Sequence, residues 1–376
     1  MILLLFGFGI FGILGLSVLC PLLALSSHYL RRKNTGETLP LRPGGPDYPS
    51  SLEIIIPAHN EAALIGATLE SIQRSIAYLR ASPWVLFPPE IVVRVVADGC
   101  TDQTAAIASQ SCRVTVTETK ERQSKWVIVK TLAEATSAEW LFLVDAGVLW
   151  SESFLAEAIH RIGEHPNVMA IAPAYYPMKA GWFHRILWKS ETALKKLEAF
   201  CGGPVSLHGA TVAYKAPPLK KALSLLGETQ WLNDDVVIPL MMRVHHPEGV
   251  ILYPVGEVQD AGLVPNRMDL GRRKRLLLGN LQWVRGLLLS SIKRNPVAGV
   301  MAGRRLFRVF WAYWFAFTVL GFILAFHFVV FPMTVSIGIL TASSGAFRQF
   351  IGAALISLLA PVLLFQLERA PAGAWK

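Results

Sequence analysis

Leu52-Glu53-Ile54-Ile55-Ile56-Pro57-Ala58-His59-Asn60-Glu61 sets an almost wholly apolar run directly against a polar tip. Beyond that tip, Leu64, Leu69, Ile72 and Ile76 recur at helical spacing. A short apolar run of this kind reads as a strand buried on both faces, and the periodicity after it as a covering helix. The pattern repeats. Ile91–Ala97 is apolar and ends at Asp98-Gly99-Cys100-Thr101-Asp102. A further helix follows, then a strand near Val114–Thr117, a helix over Lys125–Ala135, and the strand Trp140–Val144 ending at Asp145. Strands alternating with helices predict an α/β class, a Rossmann-like parallel sheet wound with helices. Ligands of such sheets lie beyond the carboxyl ends of the strands, where three polar tips (57–61, 98–102 and 145–147) would converge.

The rest of the chain is of a different character. It has 376 residues, 53% hydrophobic and 16% charged, with a mean hydropathy of +0.43. That balance predicts a membrane protein carrying one soluble part. Met1–Ser27 has no charged side chain and exceeds the roughly 20 residues that cross a bilayer. No basic n-region precedes it, so an uncleaved helix is expected rather than a secretory signal. No Asp, Glu, Lys or Arg occurs from Val309 to Phe347 or from Gln349 to Leu367. The expected organisation is a transmembrane helix at 1–27, a basic and Pro/Gly-rich linker at 28–50 and a catalytic α/β domain at 51–270. A basic amphipathic interfacial segment at 271–305 and transmembrane helices at 306–332 and 347–368 complete it.

Arg31, Arg32 and Lys33 on one side, and Lys293, Arg294, Arg304, Arg305 and Arg308 on the other, flank the central region. The positive-inside rule makes that region cytoplasmic, in an integral protein of the inner or plasma membrane type. The net charge of +10 is largely this juxtamembrane excess, which suits anionic lipid and gives no reason to expect nucleic acid. Cys20, Cys100, Cys112 and Cys201 show neither CxxC spacing nor a disulfide framework. A transporter fits poorly, because the uncharged runs 1–27, 309–347 and 349–367 hold no Asp, Glu, Lys, Arg or His except His327.

Chemistry concentrates in a few blocks. Asp234 and Asp235 are adjacent carboxylates, an arrangement kept mainly where a metal, a cation or a proton transfer uses the charge. Arg272 and Arg275 stand at i and i+3, on one helix face, where they could clamp a diphosphate. The same stretch, amphipathic through Leu289, also suits a helix lying on anionic lipid. Asn60 and Asp102 are equally good as helix caps.

Ile54–Glu61, Val96–Asp102, Phe142–Asp145, Asn233-Asp234-Asp235 and Arg272–Leu276 resemble, in order, the blocks of the membrane-bound family-2 glycosyltransferases. Those enzymes have a GT-A catalytic domain, and ceramide glucosyltransferase-like and polysaccharide synthase-like members share the arginine block. The resemblance covers residues 52 to about 290 and implies inverting transfer of a sugar from a nucleotide diphosphate donor, UDP-linked by family tendency. It places the nucleotide against Pro57, Ala58, Asn60, Glu61 and Asp98, and Lys125 near the donor phosphates. Asp145 takes the place of the first aspartate of a DxD motif that holds a divalent cation, Mg2+ or Mn2+. The chain departs from that motif at Gly147, which removes one carboxylate ligand. Asp235 is implied as the general base and Asp234 as its companion. Leu276 stands where the family has tryptophan, and Trp283, two turns on, could supply the ring. Gly209, in the Gly202–Thr211 segment, resembles the acceptor side.

Few spans and an apolar lining predict a lipid, lipid-linked or assembled polysaccharide acceptor, with possible partner subunits, rather than a solitary polymer synthase. A catalytically silent nucleotide-sugar-binding or scaffold member is the other class that Gly147 and Leu276 permit.

Overall fold

The computed structural model describes residues 46–325 except positions 84, 86, 179–181, 200, 262–269 and 310, together with residues 7, 9, 10 and 12. The predicted spans at 1–27 and 347–368, and the second half of the one at 306–332, therefore lie mostly or wholly outside the described residues. Among the described residues no helix is long and apolar enough to cross a membrane.

Two compact units are distinguished. The larger comprises residues 22–263 and 275–303. Its strands are β1 (Ser51–Ala58), β2 (Glu90–Asp98), β3 (Val114–Thr119), β4 (Trp140–Val144), β5 (Val148–Trp150), β6 (Val168–Ile171), β7 (Ala174–Pro177), β8 (Thr211–Lys215), β9 (Val250–Leu252) and β10 (Glu257–Asp260). The helices α1 (Ile65–Ala81), α2 (Thr104–Ser109), α3 (Lys125–Ala135), α4 (Phe154–Glu164) and α5 (Trp182–Ala199) are interleaved with them. Helices α6 (Ala216–Leu226) and α7 (Asp234–His245) follow.

The main sheet runs β3-β2-β1-β4-β8-β6-β9, and a small second sheet runs β5-β10-β7. Its first four strands are mutually parallel, as the alternation predicts. The all-parallel expectation is corrected beyond β4, since β8 pairs antiparallel with both β4 and β6. Direction is set by tertiary pairing, and no residue within the Thr211–Lys215 run encodes it.

β1 supplies the centre of the core. Ile54, Ile55 and Ile56 are fully buried, because helices cover both faces of this strand. Phe142, Trp150 and Phe154 stack in sequence beneath the sheet, with ring centroids 5.9 and 4.7 Å apart. Into this apolar layer α1 presents a row of hydroxyls, Thr68, Ser71 and Ser75, all buried and spaced to lie on one face. Thr68 Oγ1 accepts from Gly147 N (2.8 Å), Ser71 Oγ from Trp150 N (3.1 Å) and Ser75 Oγ from Leu155 N (3.0 Å). The row satisfies backbone N–H groups that would otherwise be buried without partners. Thr68→Val, nearly isosteric, should cost about 1–3 kcal/mol by leaving the Gly147 N–H unpaired. Chemical denaturation of the two proteins measures this.

Helix α8 (Leu270–Trp283) runs into a π-helical turn (Val284–Leu288) and α9 (Leu289–Arg294), then α10 (Pro296–Val309). On the Arg275–Trp283 part of α8, Leu276, Leu277, Leu278 and Leu281 are exposed while Trp283 is fully buried. Lys274 and Arg275 are exposed as well. The smaller unit comprises residues 1–21, 264–274 and 304–376 and contains α11 (Trp311–Ala325). In it Gly9 and Gly12 lie against Thr318 and the ring of Trp314, where any added Cβ would collide.

Candidate active site

The C-terminal ends of β1, β2 and β4 and the N-terminal end of β8 form one edge of the sheet. Val144 pairs with Thr211, and Asp145 N donates to Ala210 O at 2.9 Å. Asp145 and Gly209 are thereby brought side by side. A Cβ built on Gly209 would stand 3.5 Å from Lys125 Nζ, 3.9 Å from Asp145 Oδ2 and 3.9 Å from Asp235 Cβ. Residues from β4, α3, α7 and the segment before β8 therefore meet around a single glycine.

Lys125 is the first residue of α3, whose N-cap Ser124 accepts from Val127 N. Its ammonium donates to Asp145 Oδ1 (2.6 Å) and Gly209 O (3.3 Å) and lies 3.7 Å from Asp234 Oδ2. Burial works against its charge, but Asp145, Asp234 and Asp235 outweigh that, and the pKa moves up. Burial also pushes the Asp234 carboxyl up; Lys125 opposes this, and Asp235 and Asp145 add to it. The buried Tyr214 phenol is raised too, by burial and then by Asp234 and Asp235. The two aspartates occupy the first turn of α7, where the helix dipole favours negative charge.

Asp98 is buried, and its carboxylate accepts from Thr119 Oγ1 (2.9 Å), Gln123 N (2.7 Å) and Ser124 N (3.2 Å). These bonds fix the loop that delivers Lys125 and use three of about four acceptor positions. His59 Nδ1 is 2.7 Å from Asp98 O; a carbonyl only accepts, so this nitrogen carries the proton. Asn60 has φ +56 and accepts from Thr101 N (2.8 Å). Ala58 is buried beside the part-buried Pro57, and its carbonyl accepts from Cys100 Sγ. The exposed Asp102 stands one residue before the N-cap of α2, Gln103, and its carboxylate accepts from Ala62 N and Thr104 N. Its carboxyl is held low, first by the Thr104 hydroxyl. Glu61 is raised by burial and then by Asp145, Asp102 and Asp260, so acidic groups crowd this side.

Two predicted placements need comment. Trp283 faces the core, 0% exposed, with Nε1 donating to Asn280 Oδ1 (3.0 Å), so it offers no ring to a ligand. The reason is the opposite face of α8, where Gly279 and Trp283, four apart, mark the packed side. Arg275 is exposed, and the side chain of Arg272 lies outside the described residues.

Other contributions carried no motif. A Cβ on Gly279 would reach within 2.5 Å of Asn233 Oδ1. Gln282 Oε1 accepts from Leu232 N (3.2 Å), and Gln282 Nε2 donates to Gln230 O (2.8 Å). Segment 279–282 thus grips the loop immediately before the acid pair. Beside Gly209, the His208 ring stacks on Tyr175 (3.6 Å) and meets the edge of Trp188 (4.9 Å). A depression of about 240 Å³ lined by Trp126, Lys130, Glu134, Glu228 and Gln230 among others contains none of the clustered residues.

A divalent cation at Asp145 would find one carboxylate, already joined to Lys125. Gly147 contributes none, and its backbone N–H is taken by Thr68. Among the described residues no group of three or more His, Cys, Asp or Glu could hold a metal ion. Mg2+ at phosphate-handling sites is commonly held by one or two carboxylates with the remaining ligands from phosphate and water, and Asp145 is the residue that would hold it here.

Comparison with curated proteins gives no match. Among solved structures, the mannosyltransferase PcManGT from Pyrobaculum calidifontis, in complex with GDP-Man and Mn2+, aligns at 19% identity and a TM-score of 0.61. That alignment covers 97% of this chain and 95% of that one. Glucosyl-3-phosphoglycerate synthase from Mycobacterium tuberculosis, with Mn2+, UDP and glucosyl-3-phosphoglycerate, aligns at 13% identity and 0.43 over 69% of this chain and 83% of that. The same synthase with Mg2+ and UDP aligns at 15% and 0.42, over the same shares. The first of these shows a shared GT-A-like α/β fold. Residues 53–216, from β1 to the start of α6, match the family model described as glycosyl transferase family 2.

Proposed function

We propose that the chain transfers a sugar, with inversion, from a nucleotide diphosphate donor to a lipid, lipid-linked or polysaccharide acceptor at a membrane surface. The observation that carries this reading is the meeting of Lys125, Asp145, Asp234 and Asp235 around Gly209. In it Asp235 takes the proton of the acceptor hydroxyl as that oxygen attacks the anomeric carbon, and the bond from that carbon to the diphosphate oxygen breaks. Lys125 faces the diphosphate, while Pro57, Ala58, Asn60, Glu61 and Asp98 bound the nucleotide. Gly209 lets the acceptor approach the backbone closely. GDP-Man in the Pyrobaculum enzyme and UDP in the mycobacterial synthase make both nucleotides reasonable donors to try. Their Mn2+ and Mg2+ support a divalent cation in such domains generally.

The exposed leucines of α8 beside Lys274 and Arg275 support a catalytic domain, residues 51–270, held against the cytoplasmic leaflet by the interfacial segment at 271–305. The spans at 1–27, 306–332 and 347–368 would anchor it. Gly147 favours a second reading, a silent nucleotide-sugar binder or assembly scaffold. Purified chain incubated with radiolabelled UDP- and GDP-sugars and a membrane lipid extract separates the two. Radiolabel passing into lipid or glycan is expected; binding with neither transfer nor hydrolysis would establish the scaffold instead.

A further inference from the structure

We infer that the acceptor attacks through an uncharged hydroxyl of a sugar or polyol, seated beside the aromatic side chains next to Gly209, and that phosphate and carboxylate oxygens are refused as nucleophiles. The inference rests on the glycosyltransferase reading and narrows its acceptor. Asp145 and Asp234 share one ammonium, Lys125 Nζ, at 2.6 and 3.7 Å, and a third carboxyl group, Asp235, borders the Gly209 space. Even with one of the three protonated, this group is net negative.

The residue before Gly209 adds no charge to offset it. His208 Nδ1 accepts from Ala210 N (3.3 Å), so this nitrogen is unprotonated and the ring is neutral. The imidazole lies on the face of Tyr175 (3.6 Å) and meets Trp188 edge to face (4.9 Å), while the Tyr175 hydroxyl donates to Asp260. On the strand-tip side, burial and then Asp145, Asp102 and Asp260 push the Glu61 carboxyl up, so acidic groups bear on the site from there too. Aromatic rings beside carboxylates suit a neutral polyhydroxyl group, whose C–H surface packs on rings and whose hydroxyls donate to the acids.

The chemistry of the acid pair points the same way. A neutral hydroxyl must lose its proton as its oxygen bonds to the anomeric carbon; Asp235 takes that proton, and the electron pair of the broken carbon–oxygen bond leaves with the diphosphate. A phosphate or carboxylate oxygen is already anionic near neutral pH and gives a base nothing to remove. It would also meet like charge, which for unit charges about 4 Å apart near a protein surface lowers affinity by roughly 10²–10³-fold.

The linkage in the product tests this. Full chain is incubated with radiolabelled UDP- and GDP-sugars and a membrane lipid extract, and the labelled product is treated with mild acid, which cleaves glycosyl phosphates, and with mild alkali, which cleaves glycosyl esters. A glycoside of a neutral hydroxyl survives both, so nearly all of the label should stay bound. His208→Asn, which keeps an oxygen to accept from Ala210 N but lacks the ring, should raise KM for the extracted acceptor by about tenfold, with nucleotide Kd within about threefold of wild type. Release of the label by either treatment overturns the inference and leaves the glycosyltransferase reading intact. An unchanged KM in His208→Asn overturns the aromatic seat. If no label passes to any product, the glycosyltransferase reading itself fails.

Discussion

Asp235→Asn should lower the rate of sugar transfer by about 10²–10⁴-fold while leaving nucleotide affinity within about threefold of wild type. The asymmetry follows from position. Asp235 borders the Gly209 space, its Cβ 3.9 Å from where a methyl group there would lie. The ion-pair partners of Lys125 are instead Asp145 and Asp234. Asparagine preserves shape but removes the carboxylate's charge and with it the ability to take a proton. The backbone oxygen of Asp235, which accepts from Leu207 N at 2.8 Å, keeps its bond in the variant, so the segment leading to Gly209 stays in register. Single-turnover transfer assays alongside calorimetry check both halves. A variant that transfers at the wild-type rate would remove Asp235 from the chemistry.

Gly203→Ala should unfold the larger unit at markedly lower temperature. A Cβ there would lie 2.2 Å from Ile251 O and 2.5 Å from Ile251 Cβ, with φ at +108. Neither neighbour can yield, because Ile251 lies in β9 and its N–H is bonded to Gly202 O (3.0 Å). Loss of about 3 kcal/mol or more is expected, a drop in Tm on the order of 10 °C for a unit of this size. Gly227→Ala is the control: φ is +66 and ψ −151 but nothing lies within 4 Å, so only backbone strain remains, about 1–3 kcal/mol. Thermal unfolding followed by circular dichroism compares them; equal losses would mean that strain alone, without the close approach to β9, sets the cost.

Much of the parallel half was legible because its signals are local. The apolar runs from Leu52 and Trp140 are buried on both faces and that from Ile91 becomes so over Val95–Ala97, while α3 and β4 have the predicted limits Lys125–Ala135 and Trp140–Val144. The acid pair and Lys125 were legible as candidates through their resemblance to known blocks, and they do meet. What stayed hidden depends on distant partners. The reversal of β8 is fixed by pairing with β4 and β6. The grip of Gln282 on residues 230–232 joins positions 50 apart. Trp283 reads as an available aromatic ring until the packing of Gly279 against Asn233 shows which side of its helix faces inward. Thr68, Ser71 and Ser75 did leave a trace, a polar stripe at helical spacing inside an apolar helix. Their partners, the N–H groups of Gly147, Trp150 and Leu155, could not be read from it.

Because β8 starts, rather than finishes, at the edge where β1, β2 and β4 finish, the wall facing those strand tips is made by chain arriving at the sheet. Residues 201–207 of that arriving chain are buried, with Gly202 O bonded to Ile251 N in β9 and Leu207 N to Asp235 O in α7. The topology therefore couples the two sides: an insertion in the arriving chain would displace the acid pair as well as its own wall, so variation there is constrained by both.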